Sequence, residues 1–453
     1  MRKLFGTDGI RGRANQFPMT AEMAMNLGRA VTYYFQKNNP NLSGRPLIIV
    51  GKDTRLSCYM FELAFSSGVC SQGGKVILTG PLPTPGVSFV TNNMRAHAGV
   101  MISASHNQYF DNGIKLFDSK GDKLPDNVEL EIEKMVLNPE LIKPAPGKEL
   151  GRAQRLDEVI GRYIVQVKSC IDSNINLEGI RVVLDCANGA GYKVAPMIFS
   201  ELGAEVFTIG VNPNGRNINL GVGSLHPEIA AEDVKKYKAE IGVCLDGDAD
   251  RVVVIDEKGE VIHGDILIGI LTKFALEKKM VKKGDEIVGT VMSNMALENY
   301  VQGLGLNFYR AQVGDRYILE RMRQSKALLG GEPSGHLIWP SVSRTGDGIL
   351  SALKVLEAMS YFGKKLSELK SDFELYPQLT TNVKVKKKEN FSNFPELTDE
   401  LTKQEKRLKG KGRILLRYSG TEPLARVMVE GESMPLIQDV SDVISGVVNK
   451  CLG

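Results

Sequence analysis

Residues 241–255 read IGVCLDGDADRVVVI, and the reading of the fold starts from them. One apolar run, 241–245, ends in an acidic loop, and a second, 252–255, begins at once. Short apolar runs bounded by turn residues read as buried strands. The loop places Asp246, Asp248 and Asp250 at i, i+2 and i+4, a spacing that can aim three carboxylates at one point. Hard oxygen donors of this kind suit Mg²⁺, Mn²⁺ or Ca²⁺. An EF-hand loop needs Gly at its sixth position and Glu at its twelfth. Counted from Asp246, the sixth residue is Arg251, so that reading fails. Like charges this close repel without a cation, and a merely solvated acidic turn needs no apolar strand on both sides. Loops at strand ends are also where α/β sheets place their ligands.

Outward from this stretch, apolar runs at 46–50, 75–78, 99–102, 181–184, 205–208, 286–288, 306–308 and 327–329 alternate with helical patterns such as 59–70. That alternation predicts βαβ units with parallel or mixed sheets and right-handed crossovers. Residues 138–151, rich in Pro, Gly and charge, read as a linker, and 256–264 as a hairpin between blocks. After 369–379 the pattern changes to strand, helix (397–408), strand, strand and a closing helix (436–452). The expected architecture is therefore three similar α/β domains with mixed sheets, at 1–150, 151–256 and 257–370, followed by an α+β domain at 371–453.

The chain has 453 residues, about three domains at a prior of ~150 residues each, with two or four also open. Lys and Arg number 57 against 53 Asp and Glu, a net charge of +4, which argues against bulk attraction to nucleic acid. The six cysteines are scattered singly, without zinc spacing, and read as buried, reduced thiols. No apolar segment follows the N-terminal residues as a secretory signal would, and no run approaches the ~18 apolar residues of a membrane span. The expectation is a cytoplasmic protein with a small-molecule partner, not a nucleic acid or a membrane.

Four further motifs carry chemistry. Residues 99–115 hold a strand, then Ser105-His106-Asn107, then Asp111-Asn112-Gly113-Ile114-Lys115. Ser105 is placed as an exposed nucleophile, with Ser103 an equal rival. His106, its chain neighbour, is poorly placed to be its base, and without G-x-S-x-G a serine hydrolase is disfavoured. Residues 417–423, RYSGTEP, with Arg426 soon after, combine two arginines, two hydroxyls and a Gly, a set suited to a phosphate dianion. Residues 330–336, GGEPSGH, offer Glu332, Ser334 and His336 to sugar hydroxyls. Residues 5–12, FGTDGIRG, form a Gly-rich turn ending near Arg11 that is neither a Walker nor a kinase loop.

In this order FGTDGIRG, SASHN, DGDADR, GEPSGH and RYSGTEP resemble the α-D-phosphohexomutase superfamily over the whole chain. Supporting stretches are GKDTR (51–55), DCANGAG (185–191), GSLHPE (223–228) and VGDRY (313–317). FGTDGIRG, SASHN and SGTEPLARVMVE point to the branch acting on glucosamine phosphates. Gln108, Pro333, Tyr418, Lys52 and Cys58 depart from the family's usual residues. The resemblance implies four domains in a heart shape around one cleft. It implies interconversion of glucosamine 6-phosphate and glucosamine 1-phosphate, feeding UDP-N-acetylglucosamine and cell-envelope synthesis; the alternative is the same chemistry on glucose or mannose phosphates. It further implies a phosphorylated Ser105, a hexosamine 1,6-bisphosphate intermediate and one Mg²⁺ per subunit, held by Asp246, Asp248, Asp250 and the Ser105 phosphate. Arg251 and Arg11 would face the reacting phosphate. Lys115 would act as general acid/base, with a pKa lowered by nearby cations. His336 would assist, and with Glu332 and Ser334 would read the sugar. Arg417, Ser419, Gly420, Thr421 and Arg426 would grip the phosphate that is not reacting. A homodimer is left open.

Overall fold

The computed structural model describes residues 3–6, 8–38, 44–408, 410–419 and 423–453. Four sheets follow one another along the chain. The first contains β1 (Phe5–Gly6), β2 (Gly9–Arg13), β3 (Leu47–Lys52), β4 (Lys75–Pro81), β5 (Ala98–Ile102), β6 (Asp111–Asp118) and β7 (Arg152–Arg155), in the order β1-β2-β6-β5-β3-β4-β7. Its β5-β3-β4-β7 half is parallel and its β1-β2-β6-β5 half antiparallel. The second contains β8 (Arg181–Asp185), β9 (Glu205–Ile209), β10 (Ile241–Leu245), β11 (Val252–Asp256) and β12 (Val261–Ile262), in the order β12-β11-β10-β8-β9. The third runs β14-β13-β15-β16, with β13 at Glu286–Thr290, β14 at Asn307–Ala311, β15 at Gly330–Gly331 and β16 at Leu337–Ile338. The fourth is antiparallel, β17 (Gln378–Lys384), β19 (Leu424–Gly431) and β18 (Gly412–Tyr418), and pairs with helices Pro395–Arg407 and Met434–Leu452.

The chain divides into two compact units, Met1–Met292 with Leu304–Asp372, and Ser293–Gly303 with Phe373–Gly453. Helix Met295–Gly303 thus belongs to the C-terminal unit although it lies between β13 and β14. The Met295 N–H donates to Glu430 Oε1 at 2.5 Å, and Tyr300 stacks on Phe373 with centroids 4.4 Å apart. Among the described residues no helix is long and apolar enough to cross a membrane.

The expected strands are found within a few residues of their apolar runs, except at 327–329. Ala327 and Leu329 are buried, Ala327 against helix Asp315–Ser325, but neither lies in a strand, which instead falls on Gly330–Gly331. A β-carbon at Gly330 would lie 2.7 Å from Met322 Sδ and 3.0 Å from the Val288 carbonyl oxygen. The helix packs so closely over position 330 that only glycine fits there, and the apolar letters marked burial alone. Residues 138–151 are not a loose connection: they form two 3₁₀ turns, and Ile142 joins the first core. Beyond them, on the far side of residue 150, β7 adds parallel to β4. The stretch 256–264 is the hairpin expected, with β12 closing the edge of the second sheet.

The helices over the first sheet show how tightly its site-bearing edge is supported. Ala21–Asn38 and Leu56–Ser71 cross with backbones in contact, burying Leu27, Val31, Phe61 and Phe65 against Val100 and Ile102 of β5. A β-carbon at Gly68 would sit 2.0 Å from the Met25 carbonyl oxygen, and one at Gly28 2.2 Å from that of Phe65. Both clashes are with backbone, so neither helix can yield locally. Gly68→Ala is expected to destabilise the N-terminal unit by about 1–3 kcal/mol through overpacking, read as a lowered urea midpoint at unchanged slope.

Candidate active site

Parallel strands β10 and β8 and antiparallel β11 bring the DGDADR loop to the rim of the second sheet, facing the turn that follows β5. Asp246, Asp248 and Asp250 are buried, and one ligand atom from each lies within 4.8 Å of the others. Asp248 Oδ1 and Asp250 Oδ1 are buried without a hydrogen-bond partner in the protein. Three carboxylates this close together, two of them with an oxygen left unpartnered, fit a divalent cation with oxygen ligands. Burial first, then Asp250 and Asp248, push Asp246 well above the usual carboxylate range. Burial acts on Asp250 in the same direction, but Lys115 and His336 overcome it and hold that group well below the range.

Ser105 Oγ donates to Asp246 Oδ2 at 2.6 Å. The two serines face different partners. Ser103 Oγ donates to Asp53 Oδ2 at 2.7 Å and accepts the Ser105 N–H at 2.9 Å, so it is consumed within the turn. His106 Nδ1 accepts from Arg251 Nη1 at 2.9 Å, and burial, then Arg251 and Arg11, lower its pKa to about 4. It is neutral at physiological pH, and its Nδ1 lies 3.4 Å from Ser105 Oγ but takes the shorter bond from Arg251.

Lys115, on β6, donates to Asp248 Oδ2 at 2.9 Å and Asp250 Oδ2 at 3.1 Å, with Asp8 Oδ2 at 3.3 Å. The expectation of a lowered pKa is corrected here. Burial alone would lower it, but Asp248, Asp250 and Asp8 hold the ammonium well above its ordinary value, outweighing Arg11. Thr84, unmarked in the sequence reading, donates Oγ1 to Asp248 Oδ2 at 2.6 Å and its N–H to the Asp248 carbonyl at 2.9 Å. Lys123, also missed, pairs with Asp8 and with Asp315 Oδ2 at 2.7 Å. No local signal marks it, because its partners come from distant segments.

A cleft of about 390 Å³ opens beside the carboxylates, lined by Asp8, Arg11, Lys123, Arg251, Glu332 and His336. Arg11 pairs with Asp8, and Arg251 donates its N–H to Asp246 Oδ1 at 3.2 Å. His336 Nε2 accepts the Gly346 N–H at 3.1 Å, leaving Nδ1 3.6 Å from Asp250 Oδ1. Glu332 Oε1 accepts the Gly314 N–H at 2.9 Å, and the exposed Ser334 donates to Glu332 Oε2 at 3.3 Å. Gly335 seats this turn on β11: a β-carbon there would meet the Val252 carbonyl oxygen at 1.9 Å.

In the C-terminal unit, Arg417 on β18 lies directly opposite Arg426 on β19. Burial, then Arg426, lower the Arg417 pKa. Like charges set opposite each other destabilise a sheet, and an anion relieves them. Lys388 Nζ donates to the carbonyl of the buried Ser419 at 2.6 Å, a third cation that sequence reading missed. Tyr418 turns away, stacking on Phe391 and donating its hydroxyl to the Glu389 carbonyl at 2.6 Å. Gly420 and Thr421 lie outside the described residues.

Comparison with known proteins bears on this geometry. The phosphoglucomutase/phosphomannomutase α/β/α domains I, II and III match residues 2–142, 161–259 and 263–376, and the C-terminal domain of the same family matches 381–446. A phosphoglucosamine mutase of Pelobacter propionicus is 49% identical over 454 aligned residues, covering 100% of this chain and 99% of that protein. A crystal structure of a putative phosphomannomutase from Thermus thermophilus superposes with a TM-score of 0.78 at 25% identity, over 98% of each chain. Aspergillus fumigatus N-acetylphosphoglucosamine mutase, in complex with GlcNAc-6P and magnesium, superposes with a TM-score of 0.71 at 16% identity, over 100% of this chain and 96% of that one, a likeness of fold.

Removing Lys115 would leave Asp8, Asp248 and Asp250 facing one another. Lys115→Met is expected to cost about 3–5 kcal/mol of stability in the absence of divalent cations, as breaking a buried ion pair does. Urea denaturation in EDTA and again in millimolar Mg²⁺ checks this, with much of the loss recovered in the second.

Proposed function

Because the chain belongs to the phosphoglucomutase/phosphomannomutase family, we propose that it interconverts glucosamine 6-phosphate and glucosamine 1-phosphate through a phosphorylated Ser105 and a 1,6-bisphosphate intermediate. Full-length identity of 49% to phosphoglucosamine mutases supports that reaction, an isomerisation. The observation that carries the mechanism is the 2.6 Å contact between Ser105 Oγ and a buried, three-carboxylate cluster. Magnesium held by Asp246, Asp248, Asp250 and the Ser105 oxygen would supply Lewis-acid stabilisation of the phosphoryl group.

Each half-reaction moves one phosphoryl group and one proton in opposite directions between Ser105 Oγ and a sugar oxygen. In the first, the P–O bond to Ser105 breaks, a bond to O1 of the 6-phosphate forms, and the hydroxyl proton of O1 replaces the phosphoryl group on Ser105. After the bisphosphate turns round, the bond to O6 breaks and Ser105 is charged again. Transfer of this kind depends on positioning and on offsetting charge. Arg251 and Arg11, which line the cleft, offset charge on the reacting phosphate. Lys115 is the proposed proton carrier, supported by its contacts with two of the cluster's carboxylates. Glu332, Ser334 and His336 read the sugar. Arg417, Ser419, Gly420, Thr421 and Arg426 hold the phosphate at rest, and a grip indifferent to which end of the sugar it holds allows both orientations. The same reading places the enzyme in the cytoplasm and keeps four functional blocks, at 1–150, 151–256, 257–370 and 371–453.

Ser105→Ala is expected to abolish turnover while leaving the melting temperature unchanged, and intact-mass analysis of the unmodified enzyme should find one phosphate, mapped to Ser105. Near-normal activity in the variant would rule out the serine. Arg417→Ala is expected to raise KM at least tenfold with a smaller change in kcat, measured beside glucose and mannose 6-phosphates to fix substrate preference.

A further inference from the structure

Ser105 carries a β-carbon yet has φ = +53°, in the left-handed region. That conformation costs such a residue about 1–2 kcal/mol and persists only where its surroundings over-determine it. Here both sides of the residue are pinned. Its N–H donates to Ser103 Oγ at 2.9 Å. Its carbonyl oxygen accepts two bonds, from Arg55 Nη2 and Asn219 Nδ2, each at 2.9 Å. The same two side chains also hold the Asn107 carbonyl, at 2.8 and 2.9 Å.

The two donors come from different blocks. Arg55, fully buried, follows β3, and its Nε is held by Asp53 Oδ2 at 2.7 Å; that oxygen also accepts from Ser103 Oγ. The circuit Arg55–Asp53–Ser103 therefore closes on the nucleophile's own peptide from both ends. Asn219 belongs to the second block and is nearly fully buried, with φ = +57° and its N–H on the Ala187 carbonyl at 2.9 Å. Gly247, in the carboxylate loop, completes the contact. A β-carbon there would lie 2.5 Å from the Ser105 carbonyl oxygen and 2.9 Å from Asn219 Nδ2. With N–H and C=O fixed, the Cα–Cβ direction of Ser105 is fixed too, and it delivers Oγ to Asp246.

We propose that Asn219, acting with Arg55 on the Ser105 carbonyl, is a positioning residue that fixes the direction of the transferring oxygen. The proposal rests on the phosphoserine reading above. In that reaction the sugar is presented from opposite ends, while Ser105 Oγ is the leaving atom in one transfer and the attacking atom in the next. The serine's direction is the constant of both half-reactions, so its loss slows both by the same factor. A residue that touched the sugar would slow them unequally.

Asn219→Asp keeps the shape but turns a donor of two bonds into a charge facing two carbonyl oxygens; Asn219→Ala deletes the donor without adding charge. For both, kcat is expected to fall about 100-fold, the loss typical of a ~1 Å misplacement, with KM within about threefold of the unmodified enzyme. Single-turnover transfer from phosphoenzyme to glucosamine 6-phosphate, and rephosphorylation of dephosphoenzyme by a hexosamine 1,6-bisphosphate, should slow equally, at a melting temperature within a few degrees. Unchanged kcat, a rise in KM alone, unequal slowing, or loss of the folded state in both variants would each overturn the proposal. Mapping of phosphate in the unmodified enzyme separates the two readings: without phosphate on Ser105 the mechanism fails, and with it a fully active Asn219→Asp removes only the positioning role.

Discussion

Three carboxylates are buried at one point, and the N-terminal unit is built around that constraint. At separations of 4.8 Å or less, each charged pair repels by about 3.5 kcal/mol or more at an effective dielectric of ~20. Three such pairs rival the whole stability of an ordinary domain, about 5–15 kcal/mol. The protein offsets this in part with Lys115 and with the hydroxyl groups of Thr84 and Ser105. Two oxygens remain without a hydrogen-bond partner, in a cluster close enough together to hold a cation.

The same charges tie the three α/β blocks together. Lys115 and Lys123 from the first block both reach Asp8; Lys123 also reaches Asp315 of the third. His336 stands between Asp315 and Asp250 of the second block, at 3.6 Å from each, and Asp250 returns to Lys115. Lys115 and Lys123 thus alternate with carboxylates along the floor of the cleft, and His336, its Nε2 accepting the Gly346 N–H, packs where the third block meets the second. Arg11, Arg251 and Glu332 stand at its mouth. Elements far apart in the chain are registered to within hydrogen-bond distance, as a reaction governed by position requires.

Around Ser105 the design is similar but draws mostly on uncharged acceptors. Arg55 spends its guanidinium on backbone carbonyls of Ser105, Asn107, Gln108 and Asp111. A planar fork with five donors is suited to that task, whereas a lysine is not. The departures at Gln108 and Cys58 are absorbed without disturbing the turn. Gln108 contributes its carbonyl, and Cys58 donates its thiol to Asp53 Oδ1 at 3.1 Å. Lys52 is neutralised by Glu62 at 2.6 Å and covers the ring of Tyr59.

The chain's letters by themselves determined the alternation of strands and helices, the change to an α+β block near residue 370, and the acidic, seryl and arginyl motifs. These are local: a strand's apolar period, a turn's small residues and carboxylates two apart are all written within a few positions. Tertiary structure alone distinguishes Ser103 from Ser105, which are equal as letters: the first hydroxyl is turned to Asp53, fifty positions away, and the second to Asp246 of the acidic cluster. It also reversed the expected shift at Lys115, because the carboxylates around that ammonium come from residues 8, 248 and 250. Thr84, Lys123, Asn219 and Lys388 were illegible for the same reason. A hydrogen-bonding side chain has no function until folding chooses its partner, and those partners lie tens to hundreds of residues away.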